Sequence, residues 1–266
     1  MAVVGTVWLL AGYLRRHALS GWWAAVYGFF PPMLLCTLRD LTEPLAFLLV
    51  AWGFVLVERR PERVLRYAPL FALAGLARET SVVFPALLSL RLALAGGVGR
   101  RPARRSLGRA TLFSALWLTP LLAYRLVLHW WLGGWPQQRP LESVPFRGLG
   151  RYWPFDADHV FILLAVVVPG VAWLALALAA AARSRLSLPL ALLIVNALLF
   201  VVFLPGSAYV DYSSAGRATA PVLLAAILAL PTLRALPRPT PTLARAGLLV
   251  WTPVWMAASL LASGIF

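Results

Sequence analysis

The chain has 266 residues, of which 61% are hydrophobic and only 12% charged, and its mean hydropathy of +0.82 excludes a water-soluble globular fold. The net charge of +15 comes entirely from arginine, lysine being absent; the arginines cluster in short connections between apolar runs, which is topology information and not a nucleic-acid footprint. The lone Cys36 excludes an internal disulfide and a cysteine-based metal site.

An apolar stretch of this kind must satisfy its own backbone in lipid, so the expected fold is all-α: a polytopic transmembrane helix bundle of about 8–10 membrane segments. Residues 1–266 read as a single integral membrane domain with an external loop at 136–159. Arginine-only basic usage alongside abundant Ala, Leu, Gly and Pro fits a GC-rich bacterial genome.

Ala2–Leu14 is apolar but only thirteen residues long, with Arg15, Arg16 and His17 after it. A secretory signal carries its basic residues before the apolar run, so this is not one. The expectation is that the chain starts partway into a helix. Further apolar runs follow at Gly21–Leu38, Pro44–Val57, Ala68–Ala77, Thr80–Ala95, Ala110–Trp135, Val160–Ala182, Leu186–Leu204, Ala218–Leu233 and Leu248–Phe266.

The most informative pair is Arg78-Glu79. It interrupts Ala68–Leu90, where each charge costs roughly 2.5 kcal/mol or more at mid-bilayer. Neither half reaches the length of about 20 residues needed to span. Arg59, Arg60, Arg63 and Arg66 precede the segment, and Arg91, Arg100, Arg101, Arg104, Arg105 and Arg109 follow it. If both clusters lie on the cytoplasmic side, the segment is a broken hairpin that enters the membrane and returns, with Arg78 and Glu79 at its tip. Seventeen of the 24 arginines then lie inside. A straight span would put Arg100–Arg109 outside, against that rule. With this topology seven of the nine acids fall outside or at the tip: Asp40, Glu43, Glu79, Glu142, Asp156, Asp158 and Asp211. The chemistry, or a bound cation, is therefore expected on the external face. His129, Trp130, Trp131 and Trp135 read as an interfacial aromatic belt.

Four elements are candidate sites. In Arg39-Asp40-Leu41-Thr42-Glu43-Pro44, Asp40 and Glu43 are either a carboxylate pair facing an external cleft or a capping cluster at a helix start. At the hairpin tip, Arg78 suits a lipid-linked phosphate, and Glu79 would hold Arg78 or a substrate hydroxyl; a self-neutralising structural pair is the rival reading. In the external loop, Arg147 and Arg151 with Tyr152, Trp153 and Phe155 would line a sugar or phosphate groove; a plain interfacial loop is the rival reading. Asp156, Asp158 and His159 are candidates to hold a divalent cation as cofactor; an N-cap at Asp156 or Asp158 is the rival reading. Arg217, at the start of an apolar span, would contact phosphate or snorkel to the interface. Arg125 and His129 share a helix face and read as a snorkelling pair. There is no Gly-rich phosphate loop, HExxH or GxSxG motif.

The segment Thr42-Glu43-Pro44-Leu45-Ala46-Phe47, a basic turn, and then Ala74-Gly75-Leu76-Ala77-Arg78-Glu79-Thr80 together resemble the GT-C class of polytopic glycosyltransferases that use polyprenyl-phosphate sugars. The likeness is to the mannosyltransferase branch that includes the GPI mannosyltransferase. Ser81 follows Thr80 where that branch often has Gly, and Gly216-Arg217 to Pro221 is similar to its late Arg-Tyr…Pro element without the Tyr. The resemblance implies an inverting glycosyltransferase of the inner or plasma membrane, multi-pass, with its active face external. Its partners would be a polyprenyl-phosphate sugar, the bilayer and an acceptor glycan, lipid or protein, but no nucleic acid. The usual base lies in a first external loop that has no counterpart here, so the expectation is that the chain is a fragment, that Asp40 or Glu43 substitutes as catalytic carboxylate, or that the protein is inactive; Arg78 and Arg217 would lie on the donor phosphate. A transporter or lipid flippase, and a non-catalytic scaffold, are the competing readings.

Overall fold

The computed structural model describes residues 1–39, 41–95, 104–135, 140–184, 186–235 and 247. Among these the secondary structure is helical, without strands. In chain order the main helices are α1 (Ala2–Arg16), α2 (Pro31–Leu38), α3 (Glu43–Arg59), α4 (Val64–Ala77), α5 (Val83–Leu94), α6 (Arg104–Leu132), α7 (Ala157–Arg183), α8 (Leu188–Val202) and α9 (Tyr212–Arg234). Three of them, α6, α7 and α9, are long and apolar enough to cross a membrane; a fourth span results if α2 and α3 count as one bent element. The last apolar run, Leu248–Phe266, lies outside the described residues. The chain divides into two compact units, 1–44 with 139–266, and 45–138.

The first unit is built around α9. Every residue from 219 to 230 is buried, because this stretch (Thr219–Leu230) is apolar on all faces and has no side fit for water. Three helices fasten to it. From α1, the Tyr13 hydroxyl donates to the Leu228 carbonyl at 2.8 Å. From α2, Pro32 fits the notch at Gly216, where a Cβ would stand 2.1 Å from its Cγ. At the start of α8, Ser187 meets Thr232 at 3.4 Å. Helix α7 has a wide π-type turn at Leu163–Val167, next to Pro169, which has no N–H to give to the ladder. A second wide turn closes α8 at Leu198–Val202, where Phe203 N–H reaches the Leu198 carbonyl.

The second unit shows why Ala68–Leu90 is not one rod. Helix α4 ends at Ala77, Arg78 is extended at φ −154° and ψ 118°, and a 3-10 turn, Glu79–Val82, leads into α5. Contacts with α6 give the direction. Arg109 donates to the carbonyls of Pro61 (3.3 Å) and Glu62 (3.0 Å), Phe113 meets Phe71 edge-on at 5.8 Å, Leu121 lies beside Gly75, and Arg125 pairs with Glu79. Past the turn, Trp117 donates to Ser89 Oγ at 3.1 Å. The chain therefore climbs α6 through α4 and descends it through α5. Helix α6 has 29 residues, about 43 Å of helix, longer than the hydrocarbon core of about 30 Å. Only 17% of its apolar window is buried, against 78% for α9, so its Leu112, Leu122, Leu126 and Trp130 face outward as a surface suited to lipid and not to water.

Candidate functional site

In the first unit the candidate site begins at the amino end of α9. Asp211 is its N-cap: its carboxylate accepts from Ser214 N–H and from Ser214 Oγ, both at 2.8 Å. Partial burial works against the charged form, but the hydrogen bonds from Ser214 and Ser213 prevail and hold this carboxyl below the usual aspartate range. Arg39, at the end of α2, reaches Ser213 Oγ at 3.4 Å.

One and a half turns into α9, Arg217 places Nη1 3.9 Å from Glu43 Oε1. Glu43 opens α3 with Pro44 behind it, as the sequence predicts for a helix start, and its side chain is 3% exposed. The Arg217 Nε is buried and has no hydrogen-bond partner among the described residues. Pro221 cannot donate to the Arg217 carbonyl, so the backbone too loses its usual bond at this position. The result is a buried carboxylate beside a guanidinium whose five donors are not all used. Such a cation fits a planar or tetrahedral oxyanion that brings its own acceptors. Asp40, the other proposed carboxylate, lies outside the described residues.

The loop ahead of α7 is tied to the end of α8. Glu142 N–H donates to the Phe203 carbonyl at 2.9 Å, and Phe146 N–H to the Val202 carbonyl at 2.7 Å. Gly148 allows the close approach, since a Cβ there would sit 2.2 Å from the Leu204 carbonyl oxygen. Arg147 is exposed, at the start of the short helix Arg147–Gly150. Arg151 pairs with Glu142 at 2.8 Å, a partner no sequence spacing indicated. Asp156 caps α7, accepting the His159 backbone N–H at 2.9 Å and approaching His159 Nδ1 at 2.6 Å. The backbone bond first, and then the imidazole, hold the Asp156 carboxyl below the usual range. Asp158 is exposed. Among the described residues no three His, Cys, Asp or Glu side chains converge, and the Asp156 carboxylate is engaged as the cap of α7.

In the second unit the hairpin tip carries Arg78 at the break and Glu79 in the turn after it. Glu79 forms an ion pair with Arg125. The sequence placed Arg125 only beside His129; the tertiary partner was not legible, although an arginine within an apolar helix marks the position. His129 stacks on Trp135 with ring centroids 4.3 Å apart. The Ser81 hydroxyl is buried without a partner among the described residues.

Comparison with known proteins returns no matching family model, no matching curated protein and no matching solved structure.

Proposed function

We propose that the chain is a multi-pass membrane glycosyltransferase of the GT-C type, which moves a sugar from a polyprenyl-phosphate donor to an acceptor at the external membrane face. The bundle of about 8–10 membrane segments inferred from its apolar runs belongs to the same reading. The observation that carries it is Arg217: buried at Nε, loosely held 3.9 Å from Glu43, and short of acceptors. A lipid-linked phosphate supplies those acceptors. Glu43 orients the guanidinium and keeps the site close to neutral before the donor binds. Phosphate then binds Arg217 through charge-assisted hydrogen bonds, and the departing lipid phosphate gains the same support as its negative charge grows.

The test is transfer of label from polyprenyl-phosphate sugars in membranes carrying the chain. Arg217→Gln should raise the donor KM by about 10–100-fold, the equivalent of one or two charge-assisted hydrogen bonds. Wild-type membranes that transfer no label, or an Arg217→Gln variant with unchanged donor KM, would overturn the proposal. The reversal at Arg78 favours a second reading, transport or lipid flipping, because broken helices also build transport sites. Flux into proteoliposomes in the absence of transfer would support that one instead.

A further inference from the structure

The sequence offered only carboxylates as the group that activates an acceptor, yet the first turn of α7 contains a better-prepared one. His159 is 8% exposed, and its imidazole stacks on Tyr152 with centroids 4.2 Å apart and planes 23° apart. Tyr152 is itself fixed, its hydroxyl donating to the Gly206 carbonyl at 2.9 Å. A carboxylate can only accept, so the 2.6 Å approach of Asp156 Oδ1 to Nδ1 places the ring proton on Nδ1. Nε2 then carries the lone pair. It is buried and has no hydrogen-bond partner among the described residues. Helix capping explains the Asp156 end of this arrangement but leaves the inward-facing Nε2 unexplained. A buried acceptor left open is costly unless something donates to it.

We infer that His159 Nε2 is the general base that receives the proton of the acceptor hydroxyl, with Asp156 as the positioning residue that sets its tautomer. This rests on the glycosyl-transfer reading. Placement supports it: Phe161 packs edge-on against Tyr212 at 4.9 Å, so the first turns of α7 and α9 lie side by side. Arg217 is five residues, about 7.5 Å of helix rise, beyond Tyr212. In the step, the acceptor oxygen forms the bond to the anomeric carbon and its proton passes to Nε2. The bond from that carbon to the phosphate oxygen breaks, and its electron pair leaves on the lipid phosphate. The imidazolium is balanced by Asp156 until the proton escapes to solvent. The other charged or titratable groups on the surrounding elements are Asp158 on α7, Glu142, Arg147, Arg151 and Tyr152 on the docked loop, and Asp211, Tyr212 and Arg217 on α9 and its cap.

The experiment uses the full chain in membranes with labelled polyprenyl-phosphate sugar. His159→Gln should lower kcat by at least about 100-fold while donor KM stays within about twofold, the pattern of a lost proton acceptor. Asp156→Asn retains a good N-cap, so folding is preserved; it should lower kcat by about tenfold or more while donor KM stays within about twofold. Nitrogen-15 spectra of the wild-type protein should show the proton on Nδ1 of His159. Failure of wild-type transfer would bring down the glycosyl-transfer reading and this inference with it. Intact transfer with an unaffected His159→Gln variant, an unaffected kcat in Asp156→Asn, or the proton on Nε2 would overturn the inference alone.

Discussion

Arg125, three-quarters of the way along α6, forms its ion pair with Glu79 in the turn where the α4–α5 segment reverses. The side chains are 22% and 47% exposed, so the pair is screened on one side and supports the turn without dominating it. Glu79→Gln and Arg125→Gln should each destabilise the protein. The charge-reversed double variant, Glu79→Arg with Arg125→Glu, should recover most of the loss, with a coupling of about 1 kcal/mol. Strictly additive losses in a detergent unfolding cycle would show that the two charges do not interact.

The same reversal makes a topological prediction. Arg109 bonds the carbonyls of Pro61 and Glu62, so the start of α6 and the start of α4 share one end of the second unit. In a Cys36→Ser background, Glu62→Cys and Arg105→Cys should both react with an impermeant thiol reagent from the cytoplasmic side. Labelling from opposite sides would mean that α4 and α5 together cross the membrane.

Gly216 is a packing requirement. A Cβ at this position would meet Pro32 at 2.1 Å and 2.9 Å, and a proline ring cannot rotate aside. Gly216→Ala should cost about 1–3 kcal/mol. Gly12 on α1 faces open space, and Gly12→Ala should be neutral or stabilising by up to about 1 kcal/mol, since it removes backbone entropy from the unfolded chain. Thermal midpoints of the two variants in one detergent decide the matter.

Asp156 gives a pH dependence. Its folded carboxyl lies below the ordinary value of 3.8, so the stability it contributes is complete well above that value and is lost as pH falls through the lower folded one. The stability difference between wild type and Asp156→Asn should therefore be constant near neutrality and shrink below pH 3.8. A difference that persists undiminished at pH 2 would show that the cap does not depend on the charge.

Much of the local structure was legible. Pro44 behind Glu43 marked the start of α3, an aspartate ahead of an apolar run (Asp156 or Asp158) marked the cap of α7, and the charges at Arg78 and Glu79 marked a break. Each rests on interactions between residues a few positions apart, which capping and periodicity rules describe. The site was less legible. Glu43 and Arg217 were both singled out, but their pairing was not, and neither was that of Arg151 with Glu142.

The order of residues alone was enough to show that the chain is helical, that several of its runs are long and apolar enough to cross a membrane, and where several helices begin or break. Those outcomes follow from transfer free energies and backbone bonding that act locally along the chain. The packing of distant helices fixed that α9 is the buried axis of its unit, that Glu43 meets Arg217, and that His159 Nε2 is buried with no hydrogen-bond partner among the described residues. Such partners are chosen by which helix faces interlock, as Pro32 does at Gly216, and that geometry depends on shape at positions far apart in the chain.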